Sequence, residues 1–180
     1  MRIISGKLKR HQFFPPKGFP SRPTTDFSKE GLFNILENDL VMTDLEILDL
    51  FAGTGNISFE FASREAGKIT AVDKNFKCVT FIRKFAMENQ LDNDIITLKA
   101  DVLKFLDNQM KSYDLIFADP PFDEVIHKEV VDKVLAGNIL NEDGLFIIEH
   151  GRNNSFEEHP KFFKSRNYGG VIFSFFRHNS

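Results

Sequence analysis

The stretch Glu46-Ile47-Leu48-Asp49-Leu50-Phe51-Ala52-Gly53-Thr54-Gly55-Asn56 decides the fold. Ile47, Leu48, Leu50 and Phe51 make an apolar run as long as one buried strand, carrying a single acid, Asp49, and breaking into Ala-Gly-Thr-Gly. A continuous apolar run that ends in glycines before a helix-compatible stretch, here Ile57–Arg64, is how a parallel-sheet strand hands over to a helix. Gly53 and Gly55 allow a ligand to come close to the backbone. The helix N-terminus that follows offers it free N–H groups and partial positive charge. A glycine turn alone is equally compatible with an ordinary strand–helix connection. Asp49 adds weight, because a carboxylate in a buried strand needs partners. The dinucleotide fingerprint is Gly-x-Gly-x-x-Gly, and its third position here is Ser58. A ligand with a ribose and no pyrophosphate therefore fits better.

A chain of 180 residues, 42% hydrophobic and 27% charged, suits one compact domain with a real core. No apolar stretch approaches the roughly 20 residues of a membrane span, and the start lacks a signal-peptide core. The one cysteine, Cys78, excludes an intrachain disulfide and reads as a packed thiol. Five scattered histidines and one cysteine form no zinc constellation, so no metal is expected. The default compartment is the cytoplasm. The net charge of −3 is divided unevenly: residues 1–29 carry seven Lys or Arg against one Asp, residues 161–180 carry four and no acid, and the middle is strongly acidic. Such asymmetry suits a polyanionic partner, although a solubilising tail would also produce it.

The N-terminal arm, residues 1–21, mixes Arg2, Lys7, Lys9 and Arg10 with Phe13, Phe14 and Phe19, and Ser5-Gly6-Lys7 reads as the turn of a small basic hairpin. Ammonium and guanidinium groups beside aromatic rings suit RNA, whose phosphates and bases they meet in turn. Residues 22–180 form the main domain. Arg22-Pro23-Thr24-Thr25-Asp26 leads into a helix capped by Thr24 or Thr25, with an apolar stripe at Leu32, Phe33, Ile35, Leu36 and Leu40. Asn34 on that helix faces either solvent or a ligand.

Beyond the glycine turn, Lys68–Val72 is a second strand ending in Asp73. The separation from Asp49 approaches that of an acid that binds ribose hydroxyls, and Asp73 could also cap the helix Lys74–Asn89. Asp94–Leu98 is a third strand. Asp101, before the helix Val102–Leu106, suits either the amine of a bound adenine or a helix cap. Tyr113–Phe117 is a fourth strand, closed by Asp119-Pro120-Pro121-Phe122. Prolines stiffen the backbone and leave carbonyls without competing N–H groups. The Asp119 side chain, the Pro120 carbonyl and the Phe122 ring could thus hold a planar base with an exocyclic amine. Glu124–Leu135 reads as a helix, Asn141-Glu142-Asp143-Gly144 as a turn and Leu145–His150 as a fifth strand. Phe162–Tyr168 and Val171–Arg177 form an antiparallel hairpin about Gly169-Gly170. The alternation predicts a doubly wound α/β fold, its open sheet mostly parallel, with ligands beyond the carboxyl ends of the strands.

The acids at successive strand ends, with Gly-Thr-Gly and Asp-Pro-Pro-Phe, resemble the class I S-adenosylmethionine-dependent methyltransferases, and the last motif those acting on exocyclic amino nitrogens. Arg2-Ile3-Ile4-Ser5-Gly6-Lys7, Arg22-Pro23-Thr24-Thr25-Asp26, Leu32-Phe33-Asn34-Ile35-Leu36 and Asp49–Gly55 narrow this to a resemblance to the RsmD family of 16S ribosomal RNA guanine-N2 methyltransferases. The resemblance spans the whole chain and implies a Rossmann-like seven-stranded sheet. It implies that Asp49, Phe51, Ala52, Gly53, Thr54 and Gly55 hold the methionine part of S-adenosylmethionine, Asp73 its ribose, and Asp101 and Val102 its adenine. It further implies a catalytic set of Asp119, Pro120, Pro121 and Phe122 around a flipped guanine. RNA contacts are expected at Arg2, Lys7, Lys9, Arg10 and Arg22. The chain departs from the family pattern after Asp26, where Phe27-Ser28-Lys29 stands in place of a further arginine. The expected protein is a monomeric cytoplasmic enzyme acting on 16S ribosomal RNA within a small-subunit particle, without metal or membrane. Alternatives are an adenine-N6 methyltransferase on DNA or RNA, a non-catalytic RNA-binding protein on the same fold, and, against the missing third glycine, a nicotinamide-dependent reductase.

Overall fold

The structure, a computed structural model, describes residues 1–19, 25–121 and 124–177. Its elements run in the order α1 (Asp26–Asp39), β1 (Leu45–Leu50), α2 (Asn56–Ser63), β2 (Gly67–Asp73), α3 (Phe76–Glu88), β3 (Ile95–Lys99) and α4 (Val102–Asn108). They continue with β4 (Tyr113–Ala118), α5 (Glu124–Ala136), β5 (Leu140–His150), β6 (Phe162–Tyr168) and β7 (Val171–Arg177). The seven strands form one sheet in the order β3-β2-β1-β4-β5-β7-β6, parallel except at β7. The chain starts β1 in the middle, winds outward to β3, then crosses back to β4. The order therefore reverses between β1 and β4, where a wound sheet opens a crevice for ligands.

Alternation along the strands divides the core. Ile47, Ile69, Ile95, Leu115, Leu145 and Phe173 face one apolar cluster, which α1, α2 and α3 complete with Leu32, Phe33, Phe59 and Phe85. Leu48, Leu50, Val72, Ile116, Ile148 and Phe176 face the other, closed by α4 and α5 through Val102, Val130 and Val134. Cys78 is buried and unbridged, and burial with Asp73 nearby pushes its thiol up to about 12, as a packed thiol requires. Among the described residues no helix is long and apolar enough to cross a membrane.

The N-terminal arm folds back as expected, with an antiparallel bridge between Arg2 and Gln12 and the Phe13 amide donating to the Met1 carbonyl at 3.1 Å. Ile3 and Phe13 are buried in the first cluster. Gly6 has φ +81°, and a Cβ there would lie 1.9 Å from the Ser63 carbonyl oxygen, so only glycine lets the turn sit on the end of α2. Beneath it lies a buried ion network. Lys29 Nζ donates to the Arg2 carbonyl (2.7 Å) and Asn56 Oδ1 (2.8 Å), and lies 3.1 Å from Glu60. Glu60 also accepts from the Ile4 and Ser5 amides and from Arg64. Lys29 therefore does not belong to the basic surface that the charge count of residues 1–29 suggested. Burial lowers its pKa, against the pull of Glu60.

One local reading is corrected, and three that the sequence left open are decided. Asn141–Gly144 does not form a turn before the fifth strand. β5 already begins at Leu140, and its pairing with β4 shifts between Tyr113↔Leu140 and Leu115↔Leu145, so these residues bulge within the strand. Asp114 holds them there by accepting from the Asn141 amide group at 2.7 Å. Asp73 is not the cap of α3; Asn75 is, accepting from the Lys77 amide at 2.9 Å. Thr25 caps α1 through the Ser28 amide at 3.1 Å, and Asn34 on that helix is exposed.

Candidate active site

The carboxyl edge of the sheet gathers acids onto one face. Asp49 shares the parity of Ile47, Asp73 that of Ile69 and Ala71, and Asp119 that of Leu115 and Phe117, all residues of the first apolar cluster. Glu149, with the parity of Leu145 and Ile147, joins them. The registers Leu50↔Val72, Leu50↔Ala118 and Ala118↔Ile148 put Asp73, Asp119 and Glu149 in one transverse row, with Asp49 one step further in. Neighbouring strands lie about 4.8 Å apart. Asp119 and Glu149 are thus one spacing apart, while Asp73 and Asp119 flank β1 at about 10 Å.

The glycine turn is built to hold this rim. Phe51 leaves β1 with φ +60°, Gly53 has φ +53° and Gly55 φ +75°. The Ala52 amide donates to the Val72 carbonyl at 3.0 Å and the Gly55 amide to the Ala52 carbonyl at 2.7 Å. The Gly53 amide donates to Asp73 Oδ2 at 2.9 Å, and Asp73 Oδ1 accepts from the Asn75 amide at 2.7 Å. Asp73 therefore ties the turn to the start of α3. A carboxylate has about four acceptor positions; the two amides and the Cys78 thiol take three of them, which leaves room for a hydroxyl. A Cβ on Gly55 would approach Ile82 Cγ1 and Phe59 Cζ at 2.8 Å each. Ala52, Gly53 and Thr54 are buried, with the Thr54 hydroxyl 3.4 Å from Met1 Sδ.

Asp49 is buried and finds its partner in Ser58, whose hydroxyl donates to it at 2.5 Å and whose amide also bonds it. Gly55, the N-cap of α2, has no side chain to cap the helix, and Asp49 supplies that carboxylate from the adjacent strand. The residue standing at the missing third glycine is thus the partner the buried acid required. Burial raises Asp49 to about 7, against the Ser58 hydrogen bonds and with a push from Asp73. Asp119 is raised well above the ordinary carboxylate range, first by burial, then by Glu149 and Asp49. Its amide donates to the Leu50 carbonyl at 3.3 Å, Pro120 is buried, and Pro121 is exposed. Phe122 lies outside the described residues.

Asp101 caps α4 by accepting from the Lys104 amide at 3.2 Å. Val102, the first residue of α4, is buried by its side chain, and its N–H is one of the donors a helix leaves unpaired at its start. Glu149 was not singled out from the sequence. The signal was present: it is the acid that directly follows the apolar run Leu145–Ile148, as Asp73 directly follows Val72. Of the basic residues expected at RNA, Arg2 is 3.1 Å from Asp26 and Lys7 3.3 Å from Asp94. Lys9 and Arg10 are exposed and form no ion pair among the described residues. Arg22 lies outside them.

The rim can take a ligand that brings hydroxyls, amines and positive charge. A hydroxyl suits the remaining acceptor position of Asp73, an ammonium suits Asp49, and an amine suits Asp119. These are the polar groups of S-adenosylmethionine and of a nucleobase, so the donor set fits the cofactor that the sequence suggested.

Comparison with known proteins bears on the family and the fold. The Conserved hypothetical protein 95 family matches residues 1–177. The ribosomal RNA small subunit methyltransferase D of Buchnera aphidicola is 32% identical over 149 residues, covering 83% of this chain and 75% of its own. A putative methyltransferase, yhhF, from Escherichia coli superposes with a TM-score of 0.86 at 24% identity, covering 100% of this chain and 99% of its own. A Thermus thermophilus 16S rRNA N2 methyltransferase, RsmC, solved with S-adenosylmethionine and guanosine, superposes with a TM-score of 0.73 at 22% identity, over 89% of this chain and 45% of its own. The chain therefore belongs to the Conserved hypothetical protein 95 family, beside the ribosomal RNA small subunit methyltransferase D proteins, and carries the fold of the S-adenosylmethionine-dependent methyltransferases.

Proposed function

We propose that the protein transfers a methyl group from S-adenosylmethionine to the exocyclic N2 of a guanine in 16S ribosomal RNA of the small subunit. The observation that carries this reading is the row of carboxyl groups on one face of the sheet, in which Asp119 stands beside the buried Pro120. The relatives named for small-subunit RNA and the N2 activity of the Thermus thermophilus neighbour support the choice of substrate.

S-adenosylmethionine, when bound, supplies a methyl group on a sulfonium, which is electrophilic without further activation. Asp73 takes the ribose, and Asp49 with Phe51–Gly55 holds the amino-acid part. The Asp101 carboxylate and Val102 N–H hold the adenine. Asp119 and the Pro120 carbonyl accept the two N–H groups of the target amine, which orients its lone pair and offsets the positive charge that develops on nitrogen. Phe122 stacks on the base and offsets part of the unstacking cost of a few kcal/mol. Alignment of this kind can supply on the order of 7–11 kcal/mol. As the N2–carbon bond forms and the carbon–sulfur bond breaks, one amine proton must leave. Asp119 in its ionised form is a candidate acceptor for that proton, and water is the other.

The test is incubation of the purified protein with S-adenosylmethionine and unmodified small ribosomal subunits, followed by nucleoside digestion and mass spectrometry. N2-methylguanosine is expected. N6-methyladenosine in its place would overturn the guanine reading and favour an adenine methyltransferase.

A further inference from the structure

A groove of about 700 Å³ runs between the N-terminal arm and α3, on the flank of the domain away from the carboxylate rim except at its upper end. Its construction follows from alternation. Phe13 turns into the core, edge-on to Phe59 at 5.2 Å, so the next residue, Phe14, points outward and is 73% exposed. Pro15 and Pro16 keep the arm extended, and Phe19 folds back on Phe81 at 5.3 Å. From the other side, Phe76, Lys77 and Lys84 of α3 line the groove, and Phe76 is 65% exposed. Lys17 of the arm stands opposite them. Among the described residues, the one acid lining the groove is Glu88, which lies 3.8 Å from Lys84.

Two exposed rings and three lysines against one acid form an unusual lining. An apolar peptide would gain from the rings but not from the ammonium groups. A single-stranded polynucleotide uses both, stacking bases on rings while its phosphates meet lysines. Lys99 adds to this at the upper end, with its Nζ 5.8 Å from the centre of the Phe76 ring. Phe76 opens α3 three residues after Asp73, so the groove begins at the rim where the reaction is placed. From Phe76 to Lys84 the helix rises about 12 Å. A stacked strand advances about 3.4 Å per nucleotide, so the groove matches a run of about three.

We infer that this groove binds single-stranded RNA flanking the target nucleotide, through stacking on Phe14 and Phe76 and phosphate contacts with Lys17, Lys77 and Lys84. The inference rests on the proposed function for the identity of the strand, but it assigns a surface separate from the reaction site and from the basic residues of the hairpin turn.

The probe is a fluorescein-labelled 12-nucleotide oligoadenylate, titrated with the wild-type protein, a Phe14→Ala/Phe76→Ala variant and a Lys17→Ala/Lys77→Ala/Lys84→Ala variant. The ring variant is expected to bind the probe more weakly by about fivefold or more per ring lost. The lysine variant is expected to flatten the log K against log salt slope by about 2, from about 0.7 per phosphate contact on a single strand. Affinity for S-adenosylmethionine and the melting temperature serve as folding controls, and both should match wild type. Unchanged probe affinity and slope in both variants would overturn the inference. So would ring-dependent binding of purified small-subunit proteins with probe affinity unchanged, which would mark the groove as a protein dock. N2-methylguanosine formation by the wild type is scored separately. Ring-dependent probe binding without methylation refutes the function and leaves the groove, and methylation with unaffected probe binding does the reverse.

Discussion

Replacing Ser58 by alanine removes one hydrogen bond, and its consequence can be followed from the strand to the ligand. Asp49 is raised to about 7 despite the Ser58 hydroxyl at 2.5 Å, which holds it down. A hydrogen bond to a charged group contributes about 1.5–3 kcal/mol, and a pKa unit corresponds to about 1.4 kcal/mol. Losing the hydroxyl should therefore lift Asp49 by about one to two units. At pH 7 the ionised fraction then falls from about one half to between about one and ten per cent. If the ionised carboxylate holds the ammonium of the cofactor, affinity at pH 7 drops about 5- to 50-fold, and near pH 9.5 the loss shrinks below about twofold. Isothermal titration of S-adenosylmethionine into wild-type and Ser58→Ala protein between pH 6 and 9.5 reads this directly. Taking the ratio of the two affinities at each pH cancels the ligand's own titration. A ratio that is the same at every pH would refute the assignment, because it would show that the ionisation of Asp49 does not govern binding.

Other perturbations separate the parts of the site. Asp119→Ala should abolish turnover while S-adenosylmethionine still binds, as read by a methylation assay beside calorimetry; an active variant would remove Asp119 from the chemistry. Gly55→Ala forces a left-handed residue, costing about 1–2 kcal/mol, and crowds Ile82 and Phe59 at 2.8 Å. With about 1–3 kcal/mol for overpacking and about 2–4 °C per kcal/mol for a chain of this size, its melting temperature should fall by roughly 4–20 °C in a calorimetric scan. Asp49 also shapes stability against pH. Its folded pKa lies above the unfolded value of 3.8, so the folded state holds the proton more tightly, and stability is lost as pH rises from about 4 through 7. Asp49→Asn should flatten that part of a urea-denaturation profile, and an unchanged slope would mean that the acid is not desolvated. Replacing Lys7, Lys9 and Arg10 together should weaken RNA binding and flatten its salt dependence, with less contributed by Lys7, which already faces Asp94 at 3.3 Å.

What could be read from the sequence was what depends on neighbours along the chain. The apolar run before Gly53, the strand-end acids Asp73 and Asp119 and the closing hairpin all announce themselves by local pattern, and the sheet contains them at those places. What could not be read depends on contacts between distant segments. Ser58 was visible as a departure from a glycine fingerprint, but its bond to Asp49 requires the phase of α2 over β1. Lys29 counts as a surface charge until the arm closes over it and Glu60. Asn141–Gly144 has every residue type of a turn, yet Asp114 on the neighbouring strand pins it into a bulge. Asp73 precedes a helix and looks like its cap, but the Gly53 amide across the sheet claims one of its oxygens and Asn75 does the capping.

The carboxyl rim is also a source of tension within the fold. Asp49 and Asp119 are both pushed above their ordinary values by burial and by acids on the same face, so in the absence of a ligand their ionised forms are disfavoured. An uncharged core of the same shape would carry no such cost. The tension acquires a use when a ligand brings positive charge to Asp49 and N–H donors to Asp119, because each then favours the ionised carboxylate that burial opposed. Binding and proton release become one event, and a ligand that is neutral at these two positions gains nothing from it. On the proposed assignment, the acids that lower stability at neutral pH would favour a ligand that brings an ammonium to Asp49, and a base that brings an amine to Asp119, over ligands that lack them.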